Sequence, residues 1–393
     1  MSGGWKRVGR NLFLLALFAL LVGRTVLRAK PFLNWDVLVY MALALEWEVD
    51  DPVEVHRRTY AAAEDELSLP EFRWLTSSQL MRARYEDPAA FHEHLGFFRS
   101  RAGYTGILAL LHRAGVPLTG TVHVLSLGAW VAFALLFLVW ASRHLPFWAA
   151  VPASLFFAHA PPLLAATSYA TADGPAALVL LAGIYCLHER RSIAAGGALL
   201  ALSVLLRTDA IVFVLAWTVL VLLFERTDRA LCRGLLVTSV ASLVAFFGVT
   251  AWAHDYGWWR LFQVSFIAKS LHPSALSSTP DLGTYFAVLS DIASAMPGNG
   301  YFETERTVVG STLAFTYAGF ALAGIVFLGR SGGRARSSVL LSALTLATLA
   351  RWILFPRLWD RYHVLFYAAV PLVLLSAAMG VLRRDAPEVH VAR

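Results

Sequence analysis

Long apolar runs, separated by charges or by glycine and proline, constrain this chain more than any other feature. A helix needs about 20 apolar residues to cross the hydrocarbon of a bilayer. Ten candidate spans lie near residues 11–29, 120–141, 147–166, 174–188, 193–206, 209–225, 232–253, 309–329, 337–355 and 362–382. Several are short, and Arg207–Asp209 and Ala172–Gly174 mark either breaks between spans or broken helices. The chain is 58% apolar and 15% charged, whereas a soluble domain has about 45–50% and about 25%. This excludes an ordinary cytosolic enzyme and a disordered chain. Cys186 and Cys232 are too few for a disulfide framework or a cysteine-ligated metal cluster. The expected fold class is all-α, a polytopic transmembrane helix bundle of about ten spans.

Lysine and arginine in short loops set orientation. With the amino terminus inside, the inner segments hold fifteen of them, beginning with Lys6, Arg7 and Arg10 and ending with Arg383, Arg384 and Arg393. The short outer links hold only Arg207, Arg357 and Arg361. Both termini are therefore expected in the cytoplasm of an integral membrane protein, with a bacterial inner membrane suited to the Ala/Leu/Arg-rich composition. The net charge of +7 follows from this retention and does not call for nucleic acid. No small-x-small cleavage site follows Leu12–Val22, so the first span reads as an uncleaved anchor. Arg24 and Arg28 share one face of it, for snorkelling to headgroups or for a lipid-phosphate contact.

The expected organisation is a cytoplasmic start and first span over 1–29, a long outer loop over 30–119, spans two to seven over 120–253, a second outer loop over 254–308, and spans eight to ten with the carboxyl terminus over 309–393. Within the first loop Asp36 through Trp47 reads as a helix with Val37, Tyr40, Met41, Ala44 and Leu45 at helical spacing. A second runs from Pro52 through Glu64, and a third from Pro88 to Arg113. All three are expected along the membrane surface. Trp258 and Trp259 suit an interfacial belt.

Charges at membrane depth are expensive and generally face a cavity or a partner. Asp36, Asp173, Arg207, Asp209, His254, Asp255, Arg351, Arg357, Asp360, Arg361 and His363 all fall at outer span ends, with Lys269 and His272 in the second loop. Taken singly, Asp36, Asp173 and Asp209 could each cap a helix. Arg361 could pair with Asp360, and Arg207 with Asp209. Taken together they form a polar site on one side of the membrane.

With these residues in place, the chain resembles the GT-C fold glycosyltransferases. The likeness is architectural: a long first outer loop with surface helices, short loops after it, and a second long outer loop after the seventh span. It includes the acid of Asn34-Trp35-Asp36 just past the first span. Val37 follows that acid, so the match is to members with a single aspartate. The second loop contains no Asp-x-Asp motif, unlike metal-dependent oligosaccharyltransferases. The resemblance implies transfer of one sugar from a polyprenyl-phosphate monosaccharide to a lipid, glycan or protein acceptor, with Asp36 as the base. A single carboxylate acting directly inverts the anomeric centre. The leaving phosphate needs cations, for which Arg207, Lys269, Arg357 and Arg361 are candidates. His272 and His363 are candidates for phosphate or sugar hydroxyls, and Asp173 and Asp209 for the acceptor.

No cofactor or metal is expected. His92 and His94 stand two residues apart, which fails the helical zinc spacing, and no phosphate-binding glycine loop occurs. Three other readings stay open: a polymerase or ligase of lipid-linked glycans, a membrane transporter, and a non-catalytic scaffold. The transporter predicts charges near the midplane and related halves, and neither is evident here.

Overall fold

The computed structural model describes residues 2–31, 33–268, 270–295, 318–319, 321–326, 335–356 and 360–385. Among these the chain is helical throughout, with no strand. Helix α1 (Ser2–Arg28) is followed by six helices of the first loop: α2 (Asp36–Leu45), α3 (Pro52–Glu66), α4 (Leu69–Thr76), α5 (Gln79–Glu86), α6 (Pro88–Leu95) and α7 (Ala102–Arg113). Next come α8 (Leu118–His144), α9 (Phe147–Ala158), α10 (Pro161–Ser168), α11 (Asp173–His188), α12 (Ile193–Leu206), α13 (Ala210–Phe224) and α14 (Arg229–Trp252). The second loop carries α15 (Gly257–Phe262), a π turn and α16 (Leu282–Ala295). Finally α17 (Ala335–Leu354) and a 3-10 turn (Asp360–His363) lead into α18 (Val364–Asp385).

Among the described residues, five segments are long and apolar enough to cross a membrane: Val8–Arg28, Leu118–His144, Arg229–Trp252, Arg336–Leu354 and Arg361–Gly380. Helices α9, α11, α12 and α13 are apolar but shorter, and they pack among the long ones. Helix α11 lies against α8, α12 and α18, while α13 lies against α14 and α17. The expected span near 147–166 is two helices, α9 and α10, because Pro161 and Pro162 start a new turn after Ala160. The expected span near 309–329 falls mostly outside the described residues. Buried Trp130, Phe133, Phe137, Trp140 and Trp217 fill the bundle core. The outward faces of α1 and α14 are apolar and exposed, as at Phe13, Leu20, Val240 and Phe247. Arg24 and Arg28 are exposed.

The first loop folds around a second core, to which the bundle adds Val122 of α8, Ala176 of α11 and Leu206 of α12. Its helix starts are encoded locally. The Asp51 carboxylate accepts from Val53 N at 3.0 Å, and that of Asp87 from Ala89 N at 2.8 Å, each just before a proline. Two expectations are corrected here. Helix α2 is not a one-sided surface helix, since Val37 through Leu45 are all buried. The apolar set that suggested one face continues round the whole circumference, which marks a central helix. The helix expected over Pro88–Arg113 is instead α6 and α7, interrupted at Gly96–Arg101. A Cβ on Gly96 would lie 2.5 Å from the Tyr256 ring of the second loop, so that close approach needs glycine.

Candidate functional site

The ends of six helices meet at one end of the bundle. Asp36 opens α2, Asp173 opens α11, Asp209 precedes α13, and Arg361 and His363 lie in the turn before α18; Arg207 ends α12 and Arg351 lies in the last turn of α17. Four helix amino termini therefore face this region, and their partial positive charge favours anions.

None of the three aspartates caps its helix through its side chain. Each instead meets an arginine. Arg361 Nη1 donates to Asp36 Oδ2 at 2.9 Å, and Asn34 Nδ2 donates to the same oxygen at 3.0 Å. Arg207 grips Asp209 with two hydrogen bonds, at 2.9 and 3.0 Å, and also contacts Asp173. Arg351 Nη2 stands 2.8 Å from Asp209 Oδ2 and 4.0 Å from Asp173 Oδ1, and its Nη1 donates to the Tyr362 carbonyl. The open choice for Arg207 thus resolves to Asp209 together with Asp173. For Arg361 the observed carboxylate partner is Asp36; the Asp360 side chain is outside the described ones.

The Tyr362 ring is the hub of this network. The guanidinium carbons of Arg351, Arg361 and Arg207 stand 4.8, 5.2 and 5.6 Å from its centroid. Such contacts strengthen when desolvated, and Arg361 is only 9% exposed. Arg101 is a fourth cation. It donates to the Tyr40 hydroxyl and lies within electrostatic reach of Asp36 and Asp209. Burial pushes the Tyr40 phenol up against the pull of Arg101, so the hydroxyl stays protonated. Four arginines thus share three aspartates among the described residues, an arrangement with positive charge to spare.

A cleft of about 70 Å³ lies against this network. Its polar wall includes Asp173, Arg207, Asp209, Arg351, Arg361 and His363, and its apolar wall is built from α11, α13, α17 and α18, with Leu180, Phe213, Leu344 and Phe366. Asp36 does not line it; Arg361 stands between the two. His363 is buried, and its Nε2 has no hydrogen-bond partner among the described residues.

The structure therefore brings together Asp36, Asp173, Arg207, Asp209, Arg361 and His363. His272 lies elsewhere: its Nδ1 is 3.1 Å from Glu93 Oε1 of the first loop. Lys269 and Arg357 lie outside the described residues. Sequence reasoning assigned no role to Arg101, Tyr40 or Tyr362, and gave Arg351 a place without a partner. Nothing local separates Arg101 from Arg99, two residues away, which pairs with Glu46 at 2.6 Å. No protein-family model matches the chain, and neither does any curated protein or solved structure.

Proposed function

We propose that the protein is a membrane glycosyltransferase that moves one sugar from a polyprenyl-phosphate monosaccharide to an acceptor at the extracytoplasmic face. The single observation that carries this reading is the Asp36–Arg361 ion pair, set beside a network of further arginines. In this reading the shorter apolar helices complete a ten-span bundle of the GT-C kind, both termini are cytoplasmic, and the arginine end faces outward.

The chemistry asks for three things. A phosphate that gains charge as it leaves needs preorganised donors; Arg361, Arg207 and Arg351 supply them, with bidentate geometry available. A lipid tail needs an apolar groove beside the phosphate, which the apolar wall of the cleft supplies. An attacking hydroxyl needs a base within hydrogen-bond reach, and Asp36 supplies it. Arg361 holds Asp36 until a donor phosphate competes for that guanidinium. The freed carboxylate then takes the acceptor proton as the acceptor oxygen bonds to the anomeric carbon. The anomeric C–O bond to phosphate breaks, and its electron pair leaves with the polyprenyl phosphate. The attack is from the opposite side, so the configuration inverts.

The test uses purified full-length protein, a polyprenyl-phosphate monosaccharide panel and a glycan acceptor panel. Asp36→Asn in a well-folded variant should lose transfer by about two orders of magnitude or more. Wild-type turnover in that variant removes the assignment. A protein that consumes only polyprenyl-diphosphate oligosaccharides is a polymerase or ligase, and one that moves substrate across proteoliposomes without covalent change is a transporter.

A further inference from the structure

A second cleft lies at the other end of α2, where the first loop meets the end of α14. It is larger than the first, with about 350 Å³ of open space. The rise of an α-helix puts its Glu46 about 15 Å along the α2 axis from Asp36, so it is separate from the arginine network.

Two indoles form one part of its wall. Trp47 and Trp252 lie 5.9 Å apart with ring planes tilted by 35°, and they are 45% and 57% exposed. Trp47 is held from behind: a Cβ on Gly106 would lie 3.5 Å from its ring, Nε1 donates to Thr105 Oγ1 at 3.3 Å, and its carbonyl accepts from Arg113. The ring is thus a fixed platform, which lowers the entropy cost of binding against it.

Polar groups surround the platform. Arg99 donates to Glu46 through two hydrogen bonds, at 2.9 and 2.6 Å, and His92 stands 3.6 Å from the same carboxylate. Glu46 and Arg99 therefore present an oriented acceptor and donor pair. Asp50, also in the wall, is exposed and makes no hydrogen bond or ion pair among the described residues. His254 lines the cleft with φ of 47°, a left-handed backbone that is rare away from glycine and often kept at binding sites.

We infer that this cleft binds a carbohydrate chain, stacked on Trp47 and Trp252 and hydrogen-bonded by Glu46, Arg99 and Asp50. The combination fits the ligand. A sugar ring offers an apolar C–H face for an aromatic ring and a rim of hydroxyls that both donate and accept. Carboxylates accept from those hydroxyls, and the guanidinium donates to them. A purely apolar occupant would take water from the exposed, unpaired Asp50 carboxylate and give it nothing in return, which is costly. A phosphorylated ligand would meet two carboxylates against one arginine.

The inference goes beyond the proposed transfer reaction, because binding can be read without turnover. Purified full-length protein in nanodiscs is titrated with manno-, xylo-, galacto- and cello-oligosaccharides of two to four residues, using saturation-transfer NMR and calorimetry. At least one series should bind. Trp252→Ala should weaken it about tenfold, the loss of roughly one aromatic contact. Glu46→Gln, a milder change to a group outside the core, should weaken it as well. Asp36→Asn should bind as wild type does, which separates this cleft from the transfer centre. If no series binds, or if Trp252→Ala and Glu46→Gln both bind unchanged, the inference fails and the two indoles are membrane-interface anchors. Binding with no transferase activity would leave the inference standing and count against the transfer reading alone.

Discussion

Arg361 Nη1 and Asp36 Oδ2 are 2.9 Å apart although 325 residues separate them in the chain. The pair ties the turn before the last long helix to the first turn of the central first-loop helix. It thus joins the bundle to the first loop at the point where the proposed chemistry occurs. Arg361 is buried, while the Asp36 side chain keeps 21% of its exposure.

Removing one partner of such a pair leaves the other charge uncompensated. A fully buried case costs about 3–5 kcal/mol; the partial exposure of Asp36 reduces this to roughly 1–3 kcal/mol here. Arg361→Gln is therefore expected to destabilise more than the double variant with Asp36→Asn. Thermal unfolding of the four proteins of a double-mutant cycle in one detergent checks this. Additive losses would show that the two groups do not interact.

Tyr362 holds three guanidiniums around one ring. Tyr362→Phe keeps the ring and should unfold within a few degrees of wild type. Tyr362→Leu removes the three cation–π contacts on this ring at once, a loss of about 1–3 kcal/mol, and should lower the unfolding temperature clearly. An equal loss in both variants would assign the role of Tyr362 to its hydroxyl, and wild-type stability in both would remove the ring from the account.

Arg101 should matter to the proposed transfer while Arg113 should not. Both are first-loop arginines, but Arg101 is placed with Asp36 and Asp209, whereas Arg113 pairs with Glu48 on the surface. Arg101→Gln is expected to lower kcat/KM about tenfold or more, the scale of one lost charge-assisted interaction of about 1.5–3 kcal/mol. Arg113→Gln should stay near wild type. Steady-state transfer assays on both variants make the comparison.

Gly96→Ala should loosen the second loop. Its Cβ would lie 2.5 Å from the Tyr256 ring, a distance that forces Tyr256 to move. Limited proteolysis should cut the variant faster near residues 254–260. Tyr256→Ala in the same chain removes the clash and should restore some protection; no difference between the single and double variants would place the effect elsewhere.

The first loop should weaken in mild acid. Burial holds the His94 imidazole well below its usual 6.5, and the nearby Arg84 guanidinium adds to this. Burial lowers His56 too, against raising contributions from hydrogen bonds to the backbone of Arg84 and Tyr85 and from Asp87. An unfolded chain binds a proton at each site near 6.5 while the folded one resists it. Stability is thus fully present above that pH and is lost as pH falls below it. Unfolding temperatures between pH 7.5 and 5.5 should decline, and His94→Phe should flatten the decline. An unchanged slope in that variant would remove His94 from the account.

Much of the helical framework was legible from sequence because it is set locally. The apolar runs near 120–141, 193–206, 232–253 and 337–355 coincide with α8, α12, α14 and α17, since a continuous apolar stretch can meet its backbone and side-chain needs together only in a few ways. Pro52 and Pro88 signalled helix starts, and the structure adds the Asp51 and Asp87 carboxylates before them, each of which accepts from the first turn. The short helices α11, α12 and α13 also start and end within a residue of the runs near 174–188, 193–206 and 209–225; the run near 147–166 reads as one span because its break at Pro161 interrupts the backbone without interrupting the apolar pattern.

The sequence by itself determined where the apolar helices run, which acids and bases stand at their ends, and that Asp36, Asp173, Arg207, Asp209, Arg361 and His363 belong to one side of the chain's layout. It could not choose partners among them. Capping and local pairing satisfy each aspartate equally well on paper, because both need only neighbours in sequence. Only the tertiary structure decided that Asp36 meets Arg361, that Arg101 joins them, and that Tyr362 lies beneath three guanidiniums. Burial is the physical reason: away from water a charge must find its counter-charge in whatever helix packing brings within reach. That choice depends on how α2, α11, α12, α13, α17 and α18 converge, which no single segment encodes.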